Sequence, residues 1–406
     1  MKAIIFIEIY KSGSSREAAK AANRLGFFTI VFTNRARRLK QSDQYPEVHQ
    51  MILVDTQNLK AMRKKIKVLR SQGREIAAIV SFTDPYVHTA AVLADEFCQS
   101  CVSTEAIHKM EDKVKTRLSL KDQPFTPNFI EIKPTQSVKP LTLPSSLKFP
   151  AMVKSPKSTG SKDALLAENE KQLLANVILL REKYPMDSVL IEEFIDGEQY
   201  LVEALVYRGK VMISAVVKQE ITKGERFIVT GYGLMAKVPD DLQKSIEETV
   251  NRIISAIGME NGSLHLELRL SNDGWKLIEI NPRISGGSMN RMIEAAFGYS
   301  LVEQILKLYL GEEPSLTKKT KNFVYTQYII ATKKGKLRKI TGRKRARKSP
   351  GVVHVHIKPR KGSKLVPPQT MGHRLAYVIA YGSTLEEAKK LAKKAAKKIK
   401  FHLDEE

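Results

Sequence analysis

The chain has 406 residues, of which 42% are hydrophobic and 27% are charged, and its formal net charge is +25. This length allows two or three domains with sizeable cores, and the composition is that of an ordinary globular protein. Charged residues interrupt every apolar stretch before it reaches membrane-spanning length, and the N-terminal segment has no signal-peptide cleavage site. We therefore expect a cytoplasmic protein. The excess of Lys and Arg predicts attraction to polyanions without identifying them.

Residues 1–110 alternate strand and helix patterns in the order strand, helix, strand. Such alternation predicts a mostly parallel sheet with helices on its faces. The first turn lacks the spacing G-x-G-x-x-G, so a dinucleotide site is not supported there. Cys98 and Cys101 form a lone C-x-x-C, which can mark a redox pair or half of a zinc site. Without a second cysteine pair, packed small hydrophobic side chains are the favoured interpretation.

The middle of the chain, at about 111–320, begins with a charged helix and a proline-rich stretch at 124–150. This stretch predicts a surface connection rather than a fold element. From residue 200 the pattern changes to hairpins, with turns at Arg208-Gly209 and at Asn272-Asp273-Gly274. Both turns are typical of antiparallel strands.

The last part, at about 321–406, combines strands with a final amphipathic helix and is rich in Lys and Arg. Thr384 and Glu387 match a helix capping box. One helix face should pack through Leu385, Ala388, Ala392, Ala395 and Ile399. We therefore predict a multidomain α/β and α+β protein: a parallel α/β domain, a central domain with antiparallel sheets, and a small basic α+β domain.

Two carboxylates and an amide converge on the second hairpin. Glu279 and Asn281 share a face because side chains alternate along a strand, and the turn brings Glu267 of the neighbouring strand close to them. Oxygen ligands of this kind suit Mg²⁺ with phosphates completing its coordination. The alternative is an exposed sheet face with salt-bridged glutamates.

Two other segments could contact a nucleotide. The loop "VKSPKSTGSKD" at 153–163 offers hydroxyl and backbone N–H groups that can surround phosphate oxygens, although it is not a Walker A loop. An ordinary flexible turn is the alternative. The segment "IEEFIDGEQY" at 191–200 is a strand leaving through a glycine turn, and it can present backbone groups to an adenine edge.

In this order, "MEDKVKTR", "AMVKSPKSTGS", "EEFIDGE", "HLELRL" and "IEINPRISGG" resemble the ATP-grasp superfamily. Within it, the chain resembles the carboxylate–amine ligases related to biotin carboxylase and to bacterial L-amino-acid ligases. The resemblance covers essentially the whole chain. It implies an ATP-grasp domain at 111–320 with a mobile phosphate-loop subdomain at about 115–195, preceded by a pre-ATP-grasp domain.

The resemblance also implies a role for each motif residue. The residues implied to bind ATP phosphates are Lys113, Lys154, Ser158, Gly160 and Ser161. Those implied at the adenine edge are Glu192, Glu193 and Ile195, with Glu198 at the ribose. Those implied to bind Mg²⁺, or Mn²⁺ in its place, are Glu267, Glu279 and Asn281. Arg283 would stabilise the transferring phosphoryl group, and Gly286 and Gly287 would admit the substrate carboxylate.

The reaction implied by the resemblance is ATP-dependent. A carboxylate attacks the γ-phosphate to give an acyl phosphate and ADP, and an amine then displaces phosphate. Amino acids as both substrates would yield a dipeptide. A mobile loop around Gly160 should exclude water from the acyl phosphate. We expect an enzyme that acts on small molecules, without a membrane partner. Members of this branch often form homodimers, so a homodimer is the candidate assembly.

The sequence departs from the L-amino-acid ligases at one place. They often carry a Glu and a His three residues apart, where this chain has Val229 and Tyr232. This difference bears on the substrates. Tyr232 and Lys218 are candidate substrate-facing residues, with packing as the alternative for Tyr232.

Other interpretations stay open at this point. His354 and His356 alternate onto one strand face and could form a metal pair, but a solvated or hydrogen-bonded face is favoured. The basic C-terminal part could bind nucleic acid, yet it lacks interleaved aromatic residues for base stacking. The acceptor of an ATP-grasp ligase could also be bicarbonate or an amine that is not an amino acid.

Overall fold

The computed structural model of the protein describes residues 2–138, 143–145, 147–158, 163–222 and 228–404. Within these ranges, no helix combines the length and the apolar character needed to span a membrane.

The N-terminal part is a parallel sheet with helices packed on it, as predicted. Its strands have the order β3-β2-β1-β4. The elements are β1 (Ala3–Ile7), α1 (Ser14–Arg24), β2 (Phe28–Thr33), α2 (Ala36–Leu39), β3 (Gln50–Leu53), α3 (Leu59–Ser71), β4 (Ile76–Val80) and α4 (Val87–Phe97). Every residue of β1 is buried, as expected of a central parallel strand covered on both faces. The loops after β1 and β4 leave from the same edge of the sheet.

A small antiparallel sheet follows two short helices. These elements are α5 (Thr104–Met110), α6 (Lys113–Ser119), β5 (Phe129–Ile132), β6 (Ala151–Lys154), β7 (Ala164–Ala167), α7 (Glu170–Lys183) and β8 (Val189–Glu193). The strand order is β5-β8-β6-β7. The prediction of a mere surface connection at 124–150 was wrong for 129–132, because β5 pairs with β8 at the sheet edge. An edge strand tolerates nearby prolines, which hid this element in the sequence.

The rest of the chain builds one large antiparallel sheet and a smaller one. The elements are β9 (Glu198–Tyr207), β10 (Lys210–Thr222), β11 (Ile228–Leu234), α8 (Asp240–Ile257), β12 (Gly262–Ser271), β13 (Gly274–Asn281), α9 (Met289–Phe297), α10 (Leu301–Tyr309), β14 (Phe323–Ile329), β15 (Gly335–Thr341), α11 (Arg343–Arg347), β16 (Val352–Ile357), β17 (Lys364–Leu365), β18 (Ala376–Gly382), α12 (Leu385–Ala396) and β19 (Lys400–Leu403). The large sheet has the order β13-β12-β9-β10-β11-β14-β18-β16.

Both predicted hairpin turns are present. Arg208 and Gly209 have positive φ angles of 50° and 76°, and Gly274 has a φ of 92°. The last helix also follows the prediction, since the Thr384 hydroxyl accepts a hydrogen bond from the Glu387 N–H at 3.1 Å. The Glu387 carboxylate bonds back to the Ser383 N–H at 2.8 Å. The alanine face of this last helix, α12, is buried against the sheet.

The large sheet crosses the expected boundary at residue 320. Strand β14 pairs with β11 in the antiparallel sense, and β18 and β16 follow it outward. The basic C-terminal part is therefore hydrogen-bonded into the central sheet, and strand β15 forms a separate small sheet with β17 and β19. This continuity fixes the C-terminal residues relative to the hairpin β12–β13.

Candidate active site

A cavity of about 1920 Å³ opens where the three parts of the chain meet. Its lining includes the loop after β1, the small sheet, the hairpin β12–β13 and the segment 356–377. The edges and loops of several elements thus converge on one space, which is the usual setting of a small-molecule site.

The hairpin β12–β13 presents its polar residues on one face, as predicted. Glu267 lies opposite Glu279 in the strand register, and His265 lies opposite Asn281. The Asn281 amide donates to a Glu279 oxygen at 3.3 Å, and the Lys113 Nζ lies 3.5 Å from the same oxygen. Burial alone would raise the pKa of Glu279, but Lys113, Lys154 and Asn281 outweigh it and lower that pKa. Glu279 is thus held as an anion.

A buried acid and a histidine lie beside the oxygen ligands on this face. The Glu203 carboxylate contacts His265 Nδ1 at 2.7 Å and also accepts from the Ser285 N–H at 3.1 Å. His265 Nε2 lies 3.6 Å from Glu267. Burial would lower the pKa of His265, but Glu203 and Glu267 raise it to about 10. Glu203 was missed in the sequence, although a glutamate inside the apolar run "YLVEALVY" is a visible signal.

The donor set on this face fits Mg²⁺. Glu267, Glu279 and Asn281 offer hard oxygen ligands, and Mg²⁺ commonly uses one or two carboxylates together with substrate phosphates. Among the described residues, no group of three or more His, Cys, Asp or Glu side chains is arranged to hold a metal by itself. Phosphate oxygens would therefore have to complete the coordination.

Two lysines approach this face, Lys113 from the start of α6 and Lys154 from the small sheet. Lys113 Nζ donates to the Ser158 carbonyl at 2.8 Å, which connects α6 to the predicted phosphate loop. Lys154, at the end of β6, and Arg117 both bind the buried carboxylate of Glu192. Burial would raise the pKa of Glu192, but Arg117 and Lys154 lower it to about 2. Gly160 and Ser161 lie outside the described residues.

The residues expected at the adenine edge have internal partners. The Glu193 carboxylate accepts hydrogen bonds from the N–H and the side-chain amide of Asn128, at 2.9 and 3.0 Å. Arg269 donates to the Ile195 carbonyl and, at 2.9 Å, to the Gln199 side chain. Glu193 and Ile195 both line the cavity. Arg117 and Arg269 were not singled out in the sequence.

Glu198 and Lys218 do not lie where the sequence placed them. They pair with each other at 3.1 Å on an exposed surface, and neither belongs to the lining of the cavity. Neighbouring residues of a strand face opposite sides, so Gln199 and Gln219 line the cavity instead. Gln199 donates to Glu267 at 2.8 Å. The geometry argues against both proposed contacts.

Arg283 is held by an acid from the N-terminal part. Its Nε lies 3.0 Å from both oxygens of Asp84, which follows β4. Asp84 had no signal in the sequence beyond its place after a strand. Gly287, with a φ of 72°, stands against Gly13, whose added Cβ would lie 3.2 Å from the Gly287 N. The glycine pair therefore lines the cavity beside the first loop of the chain.

The remaining candidates have mixed outcomes. Tyr232 and Val229 line the cavity, and burial raises the pKa of Tyr232 to about 12. His354 contacts Arg291 at 3.2 Å, and the His356 ring stacks on the Tyr377 ring, so both imidazoles have neighbours on this strand face. The thiols of Cys98 and Cys101 are unpaired with each other, and burial raises both pKa values.

Comparison with known proteins matches this architecture part by part. The family model of the ATP-grasp N-terminal domain matches residues 19–97, that of the ATP-grasp domain matches 147–291, and that of L-amino acid ligase C-terminal domain 2 matches 327–404. The crystal structure of L-amino acid ligase from Bacillus licheniformis has a TM-score of 0.84 at 19% identity, covering 100% of this chain and 99% of that one. This likeness shows the fold.

Two sequence relatives have low identity to this chain and differ in how much of it they cover. The protein y4rH of Sinorhizobium fredii is 25% identical over 99% of this chain and 83% of its own length. The L-arginine-specific L-amino acid ligase of Bacillus subtilis is 26% identical over 34% of this chain and 33% of its own length. The second match covers only a part of either protein.

Proposed function

Because the chain belongs to the ATP-grasp ligases, we propose that it joins the carboxylate of one amino acid to the amine of another, with ATP converted to ADP and phosphate. The observation that carries this proposal is that one cavity brings Glu267, Glu279 and Asn281 together with two lysines, one at the start of α6 and one at the end of β6. Oxygen ligands facing ammonium groups suit a metal-bound triphosphate.

Each residue has a distinct part in this chemistry. Glu267, Glu279 and Asn281 would hold Mg²⁺, which neutralises charge on the phosphates when bound. Lys113 and Lys154 would contact phosphate oxygens, and Ser158 lies in the loop that would cover them. Arg283, oriented by Asp84, would face the transferring phosphoryl group. The backbone at Gly286 and Gly287 would admit the carboxylate that attacks.

The proposed reaction has two steps, phosphoryl transfer and then attack by the amine. The carboxylate oxygen forms a bond to the γ-phosphorus, and ADP leaves. The neutral amine attacks the carbonyl carbon of the acyl phosphate, phosphate leaves, and the nitrogen loses a proton. Phosphoryl transfer of this kind needs positioned cations more than covalent participation by protein, which agrees with the residues that line the cavity.

The test is ADP release from ATP and Mg²⁺ with all pairs of the twenty common amino acids, followed by mass measurement of the products. We expect at least one pair to give ADP and a product equal to the sum of both masses less one water. Single amino acids, bicarbonate with each amine, and random RNA or DNA are the comparison arms. Stimulation by bicarbonate or nucleic acid alone would contradict the amino-acid proposal.

A further inference from the structure

The cavity has a second charged wall, which the ATP chemistry does not use. This cationic wall comes from the N-terminal and C-terminal parts of the chain, and its residues are Lys11, Arg35, Arg37, Arg38, Arg343, Lys358, Arg360 and Arg374. Among the described lining residues, these two parts contribute no Asp or Glu. The acids of the lining all lie on the opposite side, and they are Asp163, Glu192, Glu193, Glu267 and Glu279.

The cationic wall is not neutralised within the described part of the chain. Arg38 is the exception, because it binds the buried Glu8. The other seven have no carboxylate within 4 Å among the residues that the structure describes. Lys11 bonds only to the neutral Gln41, at 3.1 Å, and Lys358 to a backbone carbonyl. Like charges gathered in a concave site raise the local concentration of anions.

Among the seven wall residues without a carboxylate partner, Arg374 is partly buried. Its guanidinium lies 3.7 Å from the centre of the Tyr328 ring and 5.8 Å from that of Tyr232. It also donates to the carbonyls of Met371, at 3.1 Å, and Val229, at 3.5 Å. A partly buried cation with neutral partners alone leaves much of its desolvation uncompensated. An anion placed against it would offset that cost.

Tyr328 connects this arginine to the reaction centre. The Tyr328 hydroxyl lies 2.8 Å from the Ser288 hydroxyl and 3.5 Å from the position of a Cβ added to Gly287. A substrate seated at the glycine pair can therefore extend past one tyrosine ring to reach Arg374. The wall is close enough to contact a substituent of that substrate.

We propose that one of the two substrates carries an oxyanion in addition to its α-carboxylate. This group is a side-chain carboxylate or a phosphate ester that does not react. Arg374 and its neighbours in the cationic wall bind it. This inference rests on the proposed function. The planar guanidinium can donate two parallel hydrogen bonds to either group. Nucleic acid fits less well, because the rings of Tyr232 and Tyr377 are already packed against the Tyr328 ring.

Binding of matched small molecules tests this inference without requiring turnover. Calorimetric titration of the full chain, with Mg²⁺ and ADP present, would compare L-glutamate with L-glutamine and O-phospho-L-serine with L-serine. We expect at least one charged member to bind about tenfold or more tightly than its neutral partner, because only the charged member can form charge-assisted hydrogen bonds with the guanidinium groups. The two pairs distinguish a carboxylate from a phosphate ester.

The variants assign the effect to the cationic wall. Arg374→Gln should remove most of the preference for the charged member. The double variant Arg343→Gln/Arg360→Gln changes two exposed lining residues, so it tests the wall if Arg374→Gln fails to fold. Arg70→Gln is the matched control, because Arg70 is exposed on α3 outside the cavity. Equal binding of charged and neutral members, or a preference that survives in every folded wall variant, would overturn the inference.

The titration and the ADP-release assay together separate this inference from the proposed function. If neutral amino-acid pairs release ADP and bind as tightly as charged ones, the ligase proposal stands and the oxyanion inference fails. If no amino-acid pair releases ADP, but the charged preference depends on Arg374, the amino-acid ligase proposal fails and the oxyanion site is supported.

Discussion

The two charged walls of the cavity differ in how their charges are compensated. On the wall expected to bind ATP, Glu192 binds Lys154 and Arg117, and Glu279 lies beside Lys113. On the cationic wall, Arg374 has aromatic and carbonyl neighbours but no carboxylate within 4 Å among the described residues. Internal ion pairs fix side chains before a ligand arrives, whereas a cation without a carboxylate partner keeps its charge available to a ligand.

This difference agrees with a division of labour between common chemistry and substrate choice. The paired wall is built on adjacent strands, where register alone places Glu267 opposite Glu279. The unpaired wall is built mostly on loops and on the segment between β16 and β18. Loops on a rigid scaffold are where recognition usually varies. We therefore propose that the first wall binds ATP and that the second selects the substrate.

The largest expected effect comes from removing one charge of the paired wall. Glu279→Gln should lower the rate of ADP formation about a thousandfold, because losing a metal ligand removes about 4 kcal/mol of charge stabilisation at the phosphates. ADP formation with an active substrate pair measures this directly. Glu260→Gln, an exposed carboxylate between α8 and β12, is the matched control. More than a tenth of the wild-type rate in folded Glu279→Gln would remove the metal assignment.

Glu192 should matter for stability, because its charge is buried between two cations. Its pKa of about 2 lies below the ordinary 4.5, so the stability it contributes is present above about pH 4.5 and is lost as the pH falls towards 2. The difference corresponds to about 3 kcal/mol. Glu192→Gln should lower the free energy of unfolding by about that amount at pH 7.

Denaturant unfolding at pH 7 and pH 3 measures this effect. The variant should also lose part of the pH dependence between those values, since the titrating group is gone. Glu193→Gln is the control on the next residue, whose carboxylate bonds to a neutral asparagine, and we expect a smaller loss there. Equal losses in both variants would contradict a special role for the buried ion cluster.

The sequence was sufficient for features that depend on nearby residues. The hairpin β12–β13 was predicted because its turn, its alternation and its three oxygen donors all lie within 267–281. The parallel sheet followed from alternating strands and helices. Asp84 and Glu203 were missed because their partners, Arg283 and His265, lie 199 and 62 residues away in the chain. No local pattern encodes such pairs.

Arg374 was missed for a related reason, since its role depends on a sheet that joins two parts of the chain. Strand β14 brings Tyr328 beside Tyr232 of β11, and the segment before β18 then lays Arg374 over the Tyr328 ring. In the sequence, Arg374 is one of 68 Lys and Arg residues and carries no distinguishing signal.

The smallest expected effect tests a difference of one residue in strand β9. Glu198 and Gln199 are both polar, so the sequence could not determine which one faces the cavity. The structure places Gln199 between Glu267 and Arg269, while Glu198 pairs with Lys218 at the surface. Gln199→Ala should raise the KM for ATP about fivefold, the equivalent of one hydrogen bond of about 1 kcal/mol.

Glu198→Ala should change that KM less than about twofold, because an exposed ion pair contributes little and screening by solvent weakens it further. Steady-state ADP formation at varied ATP concentrations distinguishes the two variants. A larger rise in the KM for ATP in Glu198→Ala than in Gln199→Ala would support a ribose contact by Glu198. Strand β9 would then have to present its other face to the nucleotide. Since β9 pairs with β12 through Leu201 and Glu267, that change would also displace the proposed metal ligand, and ATP affinity and catalysis would then fail together.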